Sequence, residues 1–203
     1  MKNVFITMEK KYGVMSVVFY SNLISAVLNS IPYTVFSSII SRACKVVMSD
    51  QLVIVESFLI LASECLVMLI YKKFKKIVHK CVPILLTVDL VLFWSMAINP
   101  SLDLRYFAII STIDGVLVLG LYQQCVKRYF LKTIRGSKDR HTYDNRTIFW
   151  CDLMRGCAIL TGFLVTNWPI QRMLLVICII STPGSVFSYM RYKWLRSKAL
   201  EKK

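Results

Sequence analysis

Residues 71–100 read YKKFKKIVHKCVPILLTVDLVLFWSMAINP. Lys72, Lys73, Lys75, Lys76 and Lys80 precede a nearly unbroken apolar block over 82–98, and Asn99-Pro100 turns the chain after it. The block is about as long as the roughly 17–25 residues a helix needs to cross a bilayer. Lipid offers no partner to backbone N–H and C=O groups, so such a block is a helix or a strand of a closed barrel. Barrel strands alternate in polarity with period two. This block does not alternate, so the expectation is a helix.

Outward from this stretch the same pattern recurs. Six blocks stand out, at about 14–41, 52–71, 82–98, 106–126, 148–166 and 172–190, and Asn167-Trp168-Pro169 makes a very short turn between the last two. Over the 203 residues, 56% are hydrophobic and only 18% charged, against about 25% charged in a soluble domain. The expected fold is all-α: a single polytopic membrane domain over 1–203 with six transmembrane helices. The first block is too long for a signal-peptide core of about 7–15 residues. Pro32 is expected to break or bend it, and tilt absorbs its excess length.

A net charge of +15 invites a nucleic-acid reading. The basic residues lie in short segments between apolar blocks, with no soluble domain to present a basic face, so no nucleic-acid partner is expected. They sort by side instead. Twenty-one lysines and arginines fall in the N-terminal segment, the stretches after the second and fourth blocks, and the tail; Arg42, Lys45, Arg105 and Arg172 fall on the other side. The positive-inside rule then puts both termini in the cytoplasm. The location expected is the plasma membrane, the inner membrane if the source is bacterial. Of the seven cysteines only Cys44 lies near the outer face, so no disulfide framework is expected.

Ionisable groups inside the blocks are the candidate chemistry. A charge at the bilayer centre costs about 2.5–3.5 kcal/mol on insertion scales and persists where it faces a cavity, a partner or a pathway. Glu56 and Glu64 lie in the second block, Asp89 in the third, Asp114 beside Gly115 in the fourth, and Asp152 with Arg155 in the fifth. Asp114, Glu64 and Asp89 are candidates to carry a proton or cation; Asp114 and Asp89 have a plainer reading as helix–helix hydrogen bonds. Asp152 and Arg155, three apart, share a helix face and read as a structural or gating ion pair. In the first block Asn22, Ser25, Asn29, Tyr33 and Ser37 recur every three or four residues, one face of a helix. That stripe reads either as polar glue between helices or as the lining of a cavity. His79 and His141 lie in basic stretches, and there is no phosphate-binding glycine loop or metal-ligand spacing. No enzyme activity, metal or cofactor is expected.

Two stretches carry a family resemblance. Arg146-Thr147-Ile148-Phe149-Trp150-Cys151-Asp152-Leu153-Met154-Arg155-Gly156, followed by Gly162, resembles the Arg-led, glycine-containing entry to the fifth helix of major facilitator superfamily transporters. The segment 71–80 stands where that family has a basic loop between helices two and three; the basic residues are present here, the loop's glycines and acid are not. With both ends inside, the arrangement resembles one six-helix half of such a transporter, which implies an inverted 3+3 repeat. A half alone lacks half of the cavity, so the resemblance implies a homodimer or a second membrane subunit. The expectation is a half-size secondary transporter moving a small solute, proton or cation. Its alternative is a non-transporting accessory, scaffold or immunity-type protein that binds a partner in the bilayer.

Overall fold

The computed structural model describes residues 4–47, 50–99, 118–134, 140–165 and 167–201. Among these the regular structure is helical: α1 Val4–Val47, α2 Asp50–Ile98, α3 Leu119–Ile134, α4 Arg140–Val165 and α5 Ile170–Glu201. Three segments within them are long and apolar enough to cross a membrane: Val4–Phe36, Cys65–Ile98 and Ile170–Glu201. The fourth expected span before residue 118, with Asp114 and Gly115, lies outside the described residues.

Several boundaries differ from the sequence expectation, each for a local reason. The stretch 72–80, expected as a loop, is helical. Residues 50–82 contain no glycine or proline, and lysine is a good helix former. The second and third expected spans therefore lie in one helix, interrupted only at Phe74 (φ −113°, ψ 26°). α1 runs through Pro32, and its non-helical residue is Gly13 (φ 80°, ψ 162°). That positive φ is tolerated readily by glycine alone. Pro32 removes the N–H that would bond the Leu28 carbonyl, and Gly184 of α5 passes beside that carbonyl; a Cβ there would sit 3.7 Å from the Leu28 Cβ. α5 continues past residue 190 to Glu201 because nothing in that stretch breaks a helix. The short turn at Asn167-Trp168-Pro169 is where it was expected: the Trp168 N–H donates to the Val165 carbonyl, and the Met173 N–H donates to Pro169 to start α5.

α1 packs on α4 and α5, α2 on α3 and α5, and α3 on α5. Small residues set the closest approach, as in membrane bundles generally. Gly120 of α3 lies so near Val67 of α2 that a Cβ would come within 3.2 Å of its Cγ2. Several threonine and serine hydroxyls donate within their own helices, as Thr34 to the Ser30 carbonyl (2.7 Å) and Thr182 to the Cys178 carbonyl (2.7 Å). That lets them sit on an apolar helix without an orphan donor.

The apolar core is in two parts. One gathers Phe5, Val17, Val18, Val82, Leu86, Tyr122, Tyr192 and Trp194. The other gathers Val35, Ile39, Met96, Val165, Met173, Leu174 and Ile177. Arg191 meets Asn22 and Gly184 meets Leu28, so α1 runs antiparallel to α5. Pairings of His79 with Tyr192 and of Trp94 with Thr182 set the second half of α2 antiparallel to α5 as well. The two clusters are thus the two ends of the bundle. Phe5 stacks on Trp194 (5.8 Å between centroids), and Glu9 pairs with Lys198 (2.6 Å), so the beginning of α1 and the end of α5 share one end. The basic stretches of α2, α3 and α5 converge on that same end.

Candidate functional site

Between the two apolar clusters lies a polar band. On α1 the first cluster takes Val17 and Val18 and the second takes Ile31 and Val35; Asn22, Ser25 and Asn29 fall between. On α2 the first takes Leu86 and the second Phe93 and Met96, and Asp89 falls between. On α5 the interval from Ile177 to Phe187 holds Thr182, Pro183 and Gly184. Polar groups from three helices therefore occupy one layer between two apolar plugs.

The sequence candidates distribute unevenly over this layer. Asp89 is 5% exposed, although it stands in the most apolar stretch of α2. Ser21 and Ser25 are buried on α1. Asn22 accepts a hydrogen bond from a terminal nitrogen of the Arg191 guanidinium. Asn29 is exposed and donates to the Ser25 Oγ at 3.1 Å, so among the described side chains of the stripe Ser25 is buried and Asn29 is not. Asp152 is exposed on α4 among Ile148, Phe149 and Leu153, away from the band. The side chains of Glu64, Arg155 and Tyr33 lie outside the described residues, their backbones being helical, and Asp114 lies outside altogether. The expected pairing of Asp152 with Arg155 therefore falls outside the description.

Two groups that the sequence placed in solvent prove central. Arg191, assigned to the tail, is 8% exposed at the edge of the band. The Tyr122 hydroxyl, from α3, donates to the Ser188 carbonyl beside it (3.0 Å). The available signal was spacing: Gly184, Ser188, Arg191, Tyr192, Leu195 and Ala199 continue the buried face of α5 at intervals of three and four.

His79, assigned to a loop, is the second. Its Nδ1 lies 3.2 Å from the Tyr192 hydroxyl and its Nε2 3.3 Å from the Tyr71 hydroxyl. Tyr192 spends its single proton on the His79 carbonyl (2.9 Å). The Nδ1–H therefore donates to Tyr192, and Tyr71 donates to Nε2. Tyr129 of α3 completes the aromatic cage at 4.8 Å. The ring ties both sides of the Phe74 break to α3 and α5, which holds that break in place. Its role is positional: the cage joins α2, α3 and α5 at the basic end.

No protein-family model, curated protein or solved structure matches the chain. Among the described residues, no group of three or more metal-ligating side chains converges.

Proposed function

We propose that this chain is a six-span membrane protein, both termini cytoplasmic, that moves a small solute, proton or cation across the plasma membrane as a homodimer or with a second membrane subunit. The observation that carries the reading is the polar band between two apolar clusters, with a buried acid in it. Membrane transporters place their sites near the bilayer midplane at the meeting of helices. An acid kept in an apolar helix against a cost of about 2.5–3.5 kcal/mol has a use for its charge or its proton. Asp89 is the group we assign to that use. Ser25, and Asn22 with its partner Arg191, supply further hydrogen-bonding groups to the pathway, and the two clusters act as barriers that part in turn. Glu64, Asp114 and Arg155 are the further ionisable groups we assign to the pathway, and Tyr33 extends its polar lining; Asp152 and Asn29, exposed on α4 and α1, are left out of it.

The test is flux. Purified protein in proteoliposomes under an imposed pH gradient is expected to dissipate the gradient, measured with an internal pH dye or a panel of labelled small cations. Asp89→Asn is expected to bring flux to the level of empty liposomes while the protein still reconstitutes. Wild-type flux that survives the substitution removes Asp89 from the mechanism. No flux of any solute in wild type removes transport itself.

A second reading has its own observation. Ile148, Phe149, Trp150 and Leu153 are exposed on α4 around Asp152. An acid on a lipid-facing surface is costly, so this face favours a protein neighbour in the bilayer. An accessory or immunity-type protein that only binds a partner would use it. Co-purification with a fixed partner and no flux selects that reading; flux by the purified chain alone selects the first.

A further inference from the structure

The basic end of the bundle carries a repeated arrangement. Lys11 lies over the ring of Tyr12 (5.0 Å), Lys73 over Phe74 (5.4 Å) and Lys193 over Tyr189 (5.2 Å). The three pairs belong to α1, α2 and α5, the helices that hold the three membrane-length segments. All fall at the end where Phe5 meets Trp194 and His79 meets Tyr192. Tyr12 is 53% exposed and Phe74 45%, and helix geometry explains why. Tyr12 immediately precedes the Gly13 break, and Phe74 is itself the break in α2. At both places the helix axis changes direction and its neighbours cannot cover the ring.

We propose that this ring of lysine–aromatic pairs binds anionic phospholipid head groups. An exposed aromatic with an apolar body suits the head-group level of a bilayer, where tyrosine and other amphipathic rings collect. The ammonium beside each ring is complementary in charge to the phosphates of anionic head groups. A soluble acidic partner would be attracted by the charges but would gain little from rings set at the membrane boundary, so lipid is the occupant that uses both halves of each pair. The proposal rests on the membrane-spanning reading of the chain and is independent of transport.

Lipid retention tests it. The full chain, purified in mild detergent and equilibrated with equal amounts of phosphatidylglycerol and phosphatidylcholine, is examined by native mass spectrometry. Wild type is expected to retain phosphatidylglycerol preferentially. The variant Lys11→Gln/Lys73→Gln/Lys193→Gln is expected to lose the preference, by about fivefold in affinity per lysine removed. Tyr12→Ser/Phe74→Ser, with the lysines kept, is expected to weaken retention too. Arg172→Gln, at the opposite end, is expected to leave it unchanged. Equal retention of the two lipids by wild type overturns the proposal, as does a triple variant that behaves like wild type. Loss on Arg172→Gln would mean that charge alone is sensed and would also overturn it. Competition by water-soluble glycerophosphate at the same concentration would replace the lipid with a free phosphate. A chain that binds the lipid but shows no flux would leave this proposal standing and remove the transport reading.

Discussion

Trp194→Ala is expected to destabilise the protein by about 3–5 kcal/mol, the range for emptying a large buried aromatic site. Trp194 is completely buried. Its ring stacks on Phe5, which also meets Phe187 at 5.4 Å, and its indole N–H donates to Glu9 at 3.0 Å. The substitution therefore does more than open a cavity. It removes the anchor that holds the start of α1, ahead of the Gly13 break, on the end of α5. Thermal unfolding in detergent, followed by helical circular dichroism, reads the loss as a fall in Tm. Glu9→Gln tests the polar half alone. The Glu9–Lys198 pair is partly open to solvent, and such pairs are worth about 1 kcal/mol or less, so this variant is expected to unfold close to wild type. Similar losses from both variants would show that the ion pair, and not the aromatic stack, fastens the segment.

Asn22→Leu is expected to cost about 1.5–3 kcal/mol, the value of a buried hydrogen bond to a charged group. The change removes the Asn22 oxygen that accepts from Arg191 while leaving the guanidinium buried. Pairing Asn22→Leu with Arg191→Met is expected to recover most of the loss, because apolar replacement of a whole buried polar pair is often nearly neutral. The coupling energy from this double-mutant cycle separates a specific pair from two independent packing losses. If the two single-variant losses simply add, Asn22 and Arg191 do not act together. The same pair of variants bears on function. With the guanidinium gone from the edge of the polar band, flux is expected to fall even where stability is restored.

Elements whose causes lie nearby were legible in the sequence. Among the described residues the apolar blocks are helical, Asn167-Trp168-Pro169 gives the turn into α5, and Asp89, an acid in an apolar block, is buried. Helix ends were less legible, because lysine-rich segments carry the same helical propensity as the spans they flank. For that reason 72–80 continues α2 and 191–201 continues α5. The break ahead of the first block, at the positive-φ Gly13, was not read from the sequence, because a lone glycine in a helical pattern is usually tolerated. Least legible were contacts set by the packing of distant helices. Asn22 and Arg191 are 169 positions apart, and His79 and Tyr192 are 113 apart. No local pattern announces either pair. The polar stripe of α1 shows the limit of periodicity: its spacing is helical, but packing covers Ser25 and leaves Asn29 exposed.

The proposed arrangement, a membrane bundle with both termini on the cytoplasmic face, is tested most directly by sidedness. Epitope tags are placed before α1, after α5 and within the turn at 167–169, each in an otherwise unaltered chain, and intact cells or spheroplasts are treated with an external protease. Both terminal tags are expected to be protected until the membrane is opened, the turn tag to be cleaved at once, and the chain to stay with the membrane through alkaline carbonate. Terminal tags on opposite sides, a protected turn tag, or release by carbonate would contradict it.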